Sequence, residues 1–403
     1  MCLIEKPSSA EPTLHQAGWV MIDPETIIQD GFVRVVSGKI LNVGQSRGEC
    51  STDRIIDHGP GVLMPALVNA HTHLDLCALK DATDMKTGFM GWIQSVIQKK
   101  AQIGRDALML AAKAGIDALK FSGTGMVGDI CSSDMGSRLF LNSGLSGVLF
   151  QEYLGTVAPS DLRCEKVSDT QTISIAGHAP HTTAPEFLVR LKSAARKAAT
   201  PFSLHIAESV DEVRFLTTGK GEWADFLTAR GIDTSAWGLT GLGPVRHADR
   251  LGLLDKNTLA VHLVFADEAD MAILSEKQVH ACICPRSNMH LHNTHPNVPM
   301  MMRAGLRLCL GTDSLASNNS LSLFDEMAFL SHHFPLIAPR DILKMATING
   351  ASALGFEGQF GSLTPGKMAA MIYVPVSASG AGQVFEFLVN DCHLCVPSSL
   401  REK

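Results

Sequence analysis

The sequence predicts an α/β protein, a (β/α)8 TIM barrel joined to a small β-sandwich formed from both chain ends. Three observations predict it. Short apolar runs recur along the middle of the chain, helix-like stretches separate them, and the two ends depart from that rhythm. A length of 403 residues suits a large barrel with an accessory module.

Taken in order, residues 16–60 read as short strands and turns, among them Gly31-Phe-Val-Arg-Val-Val and Gly38-Lys-Ile-Leu-Asn-Val. Eight apolar runs follow: Val62 to Ala70, Gly125 to Ile130, Gly147 to Leu154, Thr172 to Gly177, Pro201 to Ile206, Thr258 to Val261, His280 to Pro285 and Leu306 to Gly311. Continuously apolar runs describe strands of a parallel sheet buried on both faces. Between them apolar residues repeat at three-to-four spacing, as at Phe187, Leu188, Leu191, Ala194 and Ala195, and again over Asp341 to Leu354. Eight such strand–helix units are the number that closes a barrel. Gly361-Ser-Leu-Thr-Pro-Gly-Lys and Met371-Ile-Tyr-Val then return to strands and turns. The expected division is 1–62 for the first part of the sandwich, 63–360 for the barrel and 361–403 for the rest of the sandwich.

Composition narrows the function. With 45% hydrophobic and 18% charged residues the chain supplies a large core and is not mainly disordered. A net charge of −6 gives no basic face for a phosphate backbone, which argues against nucleic acid and for a small molecule as partner. No run reaches the roughly 18 apolar residues that cross a bilayer. Met1-Cys2-Leu3-Ile4-Glu5-Lys6-Pro7 lacks the basic flank and apolar core of a secretory signal. The expectation is a cytoplasmic homodimer with no membrane partner. Ten cysteines spread over so long a chain read as reduced, buried thiols. Cys282 and Cys284 alternate in a strand-like run and so share a face. Cys392 and Cys395 lack the second pair that a four-thiolate zinc site needs.

The polar residues fall where the runs end. His71 and His73 close the first run, His178 the fourth, His205 the fifth and His262 the sixth, while Asp313 follows the eighth in Leu310-Gly-Thr-Asp-Ser. The C-terminal strand ends of such a barrel carry the active site, so these groups are expected to converge. His71 and His73, two apart on an extended segment, leave the same face and suit one small cation. His205 and Asp313 complete a nitrogen and oxygen donor set, with water in the open position. Any one histidine reads more readily as a hydrogen-bonded core residue than as a ligand; five of them with an aspartate at the ends of barrel strands do not.

Glu208, three residues after His205, is placed to take a proton from that water and deliver it to a leaving nitrogen. Its plainer reading is a solvated glutamate at a helix N-terminus. His262 is expected beside the metal, holding or polarising the hydroxide. His178, opposite the first strand, faces the same cavity, where it meets a ribose hydroxyl or a ring nitrogen or merely caps its strand. Glu152, Arg286 and Asn288 are expected to complete a polar rim.

Pro65-Ala-Leu-Val-Asn-Ala-His71-Thr-His73, His205-Ile-Ala-Glu208, His262, Cys284-Pro-Arg-Ser-Asn288 and Gly311-Thr-Asp313-Ser314 together resemble the amidohydrolase superfamily, in its branch of nucleoside and nucleobase deaminases and triazine chlorohydrolases. The resemblance covers nearly the whole chain. It implies one divalent metal, Zn2+ or Fe2+, held by His71, His73, His205 and Asp313, with Glu208 as proton shuttle, and His262 and Asp313 beside it in catalysis. No lysine ends the fourth run to carry the bridging carbamate of binuclear branches. Gly177-His-Ala-Pro-His181-Thr matches a segment that contacts the sugar or ring in similar deaminases. Gly88-Phe-Met-Gly-Trp92, Phe150-Gln-Glu152-Tyr-Leu-Gly155 and Ser209-Val-Asp-Glu-Val-Arg-Phe-Leu look like aminodeoxyfutalosine deaminases of menaquinone biosynthesis, which adds Trp92 to the substrate contacts. Departures exist: His181 where tyrosine is common, Asp75 where glutamate is, and Ala370 for the usual aspartate. The implied activity is zinc-dependent deamination of an adenine-type nucleoside, the kind of substrate also taken by methylthioadenosine/S-adenosylhomocysteine deaminases. The same machinery serves removal of chloride or of another ring amine (guanine, cytosine, triazine), and a scaffold would have lost these ligands.

Overall fold

Each of the eight runs contributes a strand to one sheet in the computed structural model, which describes residues 2–3, 11–45, 53–84, 88–157, 159, 161–239 and 241–395. The strands are β1 (Leu67–Thr72), β2 (Thr124–Cys131), β3 (Ser146–Glu152), β4 (Gln171–Ala176), β5 (Phe202–Ile206), β6 (Thr258–His262), β7 (His280–Ile283) and β8 (Arg307–Leu310). Sequential neighbours pair in parallel. The barrel closes through a parallel bridge between Thr72 and Asp313, where the amides of Thr312 and Asp313 both donate to the His71 carbonyl at 3.1 Å. Closure by these two residues puts the first and last strand ends in contact, and with them two predicted ligand segments.

The continuously apolar runs are buried because each strand has two apolar neighbours, the barrel interior and the helical layer. Val68, Met126, Val148, Phe150, Val261, Cys282 and Cys309 fill the interior, while Phe202, Leu204 and Leu308 belong to the larger core shared with the surrounding helices. Cys282 and Cys284 both lie in the inner cluster as free thiols, consistent with their shared face. At Gly147 the packing requires glycine: φ is +126° and a Cβ would lie 2.0 Å from the Val127 carbonyl oxygen.

The chain ends form a separate, mainly antiparallel sheet in the order Cys2–Leu3, Met371–Val374, Val62–Pro65, Thr13–Asp23, Thr26–Val36 and Lys39–Gly44, with Arg54–Asp57 also on Thr13–Asp23. Two expected boundaries move. The run from Val62 divides: Val62–Pro65 joins the end sheet and only Leu67–Thr72 enters the barrel. An uninterrupted apolar pattern hides the change because both halves are buried. After Val374 the chain leaves the sheet. Ala381–Asn390 is a helix that buries Val384, Phe385 and Leu388 in the core that also holds Leu323, Met327 and Leu330 of the helix Leu323–His333, so this part of 361–403 belongs to the barrel's helical layer.

Candidate metal centre and active site

His71 lies at the end of β1 and His73 just beyond it, and their Nε2 atoms lie 3.2 Å apart. His205, in β5, brings its Nε2 to 3.3 Å from that of His71. Tetrahedral zinc with bonds of about 2.0–2.1 Å separates neighbouring nitrogens by roughly 3.3–3.4 Å, so His71 stands at ligand spacing from both His73 and His205. Asp313 Oδ1 faces the same point, 3.8 Å from Nε2 of His71 and 3.6 Å from that of His73. The donor set fits a divalent metal.

Electrostatics prepares these donors. Burial holds the pKa values of His71 and His205 well below the ordinary histidine value, and lowers that of His73 against the pull of Asp313. Neutral imidazoles offer lone pairs without first losing a proton. The His205 Nδ1 hydrogen goes to the His178 carbonyl at 3.1 Å, which fixes the tautomer and leaves Nε2 free for a metal. Asp313 Oδ2 accepts from Ser287 Oγ at 2.6 Å and Ser317 Oγ at 2.9 Å, so Oδ1 is the oxygen left to face the histidines.

Glu208 follows β5 on the same rim. Its Oε1 lies 3.7 Å from Nε2 of both His262 and His292. Burial pushes its carboxyl up, but these histidines outweigh that and hold it at about 2. Asn288 Nδ2 donates to His262 Nδ1 at 3.0 Å, which leaves the proton of the neutral ring on Nε2, the side facing Glu208. Ligating nitrogens of His71, His205 and His262 lie within 4.8 Å of one another. The Glu208 amide donates to Glu212 Oε2 at 2.8 Å, and Ser209 caps the helix Val210–Thr218 by accepting from the Glu212 amide at 3.1 Å. Three strand-end residues adopt left-handed backbone: His178 (φ 44°), His262 (φ 78°) and Asp313 (φ 57°). Histidine and aspartate tolerate that region better than most, and such strain gathers at functional sites.

The site floors a cavity of about 650 Å³. Its lining takes in the sequence-predicted Trp92, Glu152, His178, His205, Glu208, His262 and Asp313. Burial lowers the pKa of His178 to about 3, and its Nδ1 is engaged by Thr182 Oγ1 at 2.6 Å. Burial, with Asp75 nearby, raises Glu152 to about 8, and its Oε1 has no hydrogen-bond partner among the described residues. Trp92 donates its indole hydrogen to the Ala316 carbonyl at 3.0 Å. Arg286 and Asn288 stand elsewhere than the expected rim. The Arg286 guanidinium turns to Asn319 and Asp325, its amide donates to Glu326, and Asn288 acts one step back through His262.

Several supporting residues escape a linear reading. Ser287 was visible within Cys284-Pro-Arg-Ser-Asn288, but a serine in the first turn of a helix reads as a terminal residue, and Ser317 carries no signal at all. Glu212 was detectable as the acid of a Ser-x-x-Glu start, a pattern that ordinarily means helix capping.

Residues 62–391 match the amidohydrolase family. The chain is 32% identical over 385 residues to the 5-methylthioadenosine/S-adenosylhomocysteine deaminase of Pelotomaculum thermopropionicum, covering 88% of this chain and 82% of that protein. Its fold matches Helicobacter pylori aminofutalosine deaminase in complex with methylthio-coformycin with a TM-score of 0.82 at 24% identity, over 93% of this chain and 96% of that one. A zinc-bound adenosine deaminase from Xanthomonas campestris gives a TM-score of 0.77 at 26% identity, over 95% and 90% of the two chains.

Proposed function

The chain belongs to the amidohydrolase family and is a hydrolytic deaminase, and on that premise we propose that it releases ammonia from the amino group of an adenine-type nucleoside, using zinc. The observation that carries this reading is Glu208, ionised and set 3.7 Å from His262 Nε2, above a buried donor set on the floor of a mostly apolar cavity.

His71, His73, His205 and Asp313 would hold the metal, which when bound supplies Lewis acidity that brings the pKa of water to about 7. Glu208 accepts one proton of the attacking water and delivers it to the ring nitrogen, then carries the second, from the hydroxyl now on the ring carbon, to the departing amine. The Nε2 hydrogen of His262 faces the oxygen that adds to the ring carbon. His178 presents its free edge to the ring or sugar. Water and the amine are exchanged for a carbonyl and ammonia.

Phe89, Trp92, Ile93 and Val96 from the helix Gly88–Gln102, with Trp223 and Phe226 from the helix Glu222–Ala229, line the cavity. Walls of this kind suit a flat base and an apolar group at the 5′ carbon. Aminodeoxyfutalosine is the favoured substrate, and relatives named for methylthioadenosine and adenosylhomocysteine support the same class. Ammonia release should be measured with adenosine, methylthioadenosine, adenosylhomocysteine, aminodeoxyfutalosine, guanine and cytosine. Turnover confined to the nucleosides is the expected result; turnover of guanine or cytosine alone would overturn it.

A further inference from the structure

One imidazole beside the active site has no task in the chemistry above. His292 is the last residue of the helix Pro285–His292, and its side chain is 6% exposed. Its ring centroid lies 4.7 Å from that of Phe89, which lines the cavity, and 6.0 Å from that of Phe265. Its Nε2 stands 3.7 Å from Glu208 Oε1 and has no hydrogen-bond partner among the described residues. A shift of about 0.5–1 Å brings that pair into hydrogen-bond range. Catalytic hydrogen bonds are often long before substrate binds and tighten when it does.

A ring that only fills the space between Phe89 and Phe265 needs no nitrogen, since an unpaired buried polar atom costs stability. A histidine at a helix C-terminus also suits the dipole there, but that benefit does not aim Nε2 at a carboxylate. The helix supports Glu208 twice. Asn288 and His292 are four residues apart and so share a face. Asn288 Nδ2 donates to His262 Nδ1 at 3.0 Å, and His262 Nε2 stands 3.7 Å from the same Glu208 oxygen. Two imidazoles therefore meet Oε1, one from the end of β6 and one from this helix. With its hydrogen on Nε2, His292 donates in the neutral form as well as in the charged one.

We propose that His292 is a positioning residue for the deamination: together with His262 it holds Oε1 of Glu208, so that Oε2 is the oxygen that takes and delivers protons. A carboxylate anchored by one oxygen spends less of its time in orientations that cannot react. The inference rests on the shuttle role given to Glu208 and not on the identity of the substrate.

The test measures kcat and KM in wild type, His292→Phe, His292→Gln, Glu208→Gln and the double variant Glu208→Gln/His292→Phe, on whichever compound of the panel above releases ammonia fastest. Metal content and thermal melts are recorded for each, and His292→Leu takes the place of His292→Phe in the cycle if the latter does not fold. His292→Phe should lower kcat about ten- to a hundredfold, the effect of losing a hydrogen bond to a charged group, with KM within threefold and metal retained. His292→Gln, whose amide brings a donor near the place of Nε2, should recover most of that loss. In the Glu208→Gln background the same change should cost less than threefold, because His292 acts through the carboxylate. An equal loss in both backgrounds marks a purely structural ring and overturns the inference, as does wild-type kcat in His292→Phe or a His292→Gln no better than it. Turnover of free bases alone would defeat the nucleoside reading and leave this cycle to be run on guanine or cytosine, so the two failures are distinguishable.

Discussion

Replacing Ser287 with alanine should loosen the metal without touching a ligand. Asp313 Oδ2 accepts two hydroxyl hydrogen bonds, 2.6 Å from Ser287 and 2.9 Å from Ser317, in a buried setting. Hydrogen bonds to a charged group contribute about 1.5–3 kcal/mol. Removing the shorter one frees the carboxylate to rotate, so Oδ1 no longer stands pre-aimed at the point it shares with His71 and His73. At about 1.4 kcal/mol per tenfold, metal affinity should fall roughly 10–100-fold, the usual effect of losing a group that orients a ligand. The Ser287→Ala/Ser317→Ala double variant should fall further, and by more than either single change. Competition with chelators of graded affinity reads the effect, and thermal melts of the metal-free proteins control for damage to the fold. Excess metal should restore most of the kcat. Affinity of the double variant within threefold of wild type, with the fold retained, would refute the reasoning.

Glu208→Gln should keep its metal and lose about 10²–10⁴-fold in kcat, since an amide cannot take the water's proton; activity within tenfold of wild type would remove Glu208 from the mechanism. His205→Ala should lose both metal and turnover, read by elemental analysis, because two imidazoles and a carboxylate no longer surround the ion. Acid should destabilise the fold between pH 6.5 and about 4. Burial lowers His280, beside Arg307, to about 4, and His247, beside Arg250, likewise. In that window the unfolded chain binds protons that the folded one refuses, so stability falls as pH falls. The melting temperature of His280→Gln should decline less steeply there than that of wild type, and an equal decline would exclude His280 from the effect. Gly311→Ala should cost about 1–3 kcal/mol in urea unfolding and lower metal content, since its Cβ would lie 2.8 Å from both the Cβ and the carbonyl oxygen of His71. Wild-type stability and metal content would show that the seam between β8 and β1 yields.

Strand number, parallel pairing and the convergence of His71, His73, His205 and Asp313 were legible in one dimension because all three rest on local periodicity. An apolar run marks a strand wherever it packs, and a barrel carries every such strand's C-terminal end to one face. The same logic brought Glu208 and His262 to that face from their positions just past β5 and at the end of β6. It failed where identity of burial concealed a change of partner. Val62–Pro65 and Leu67–Thr72 are equally apolar yet enter different sheets. Arg286 and Asn288 sit in a motif that faces the site, but the helix Pro285–His292 sends the guanidinium toward Asn319 and Asp325, and the amide onto His262. Side-chain direction on a helix of two turns depends on how that helix is docked, which no spacing in the sequence encodes. By itself, then, the sequence determined the barrel and the residues that meet at its rim. Only the tertiary structure decided which oxygen of Asp313 is free, which nitrogen of His205 is available and where His292 meets Glu208. Each of those depends on partners far apart in the chain, brought together when the barrel closes.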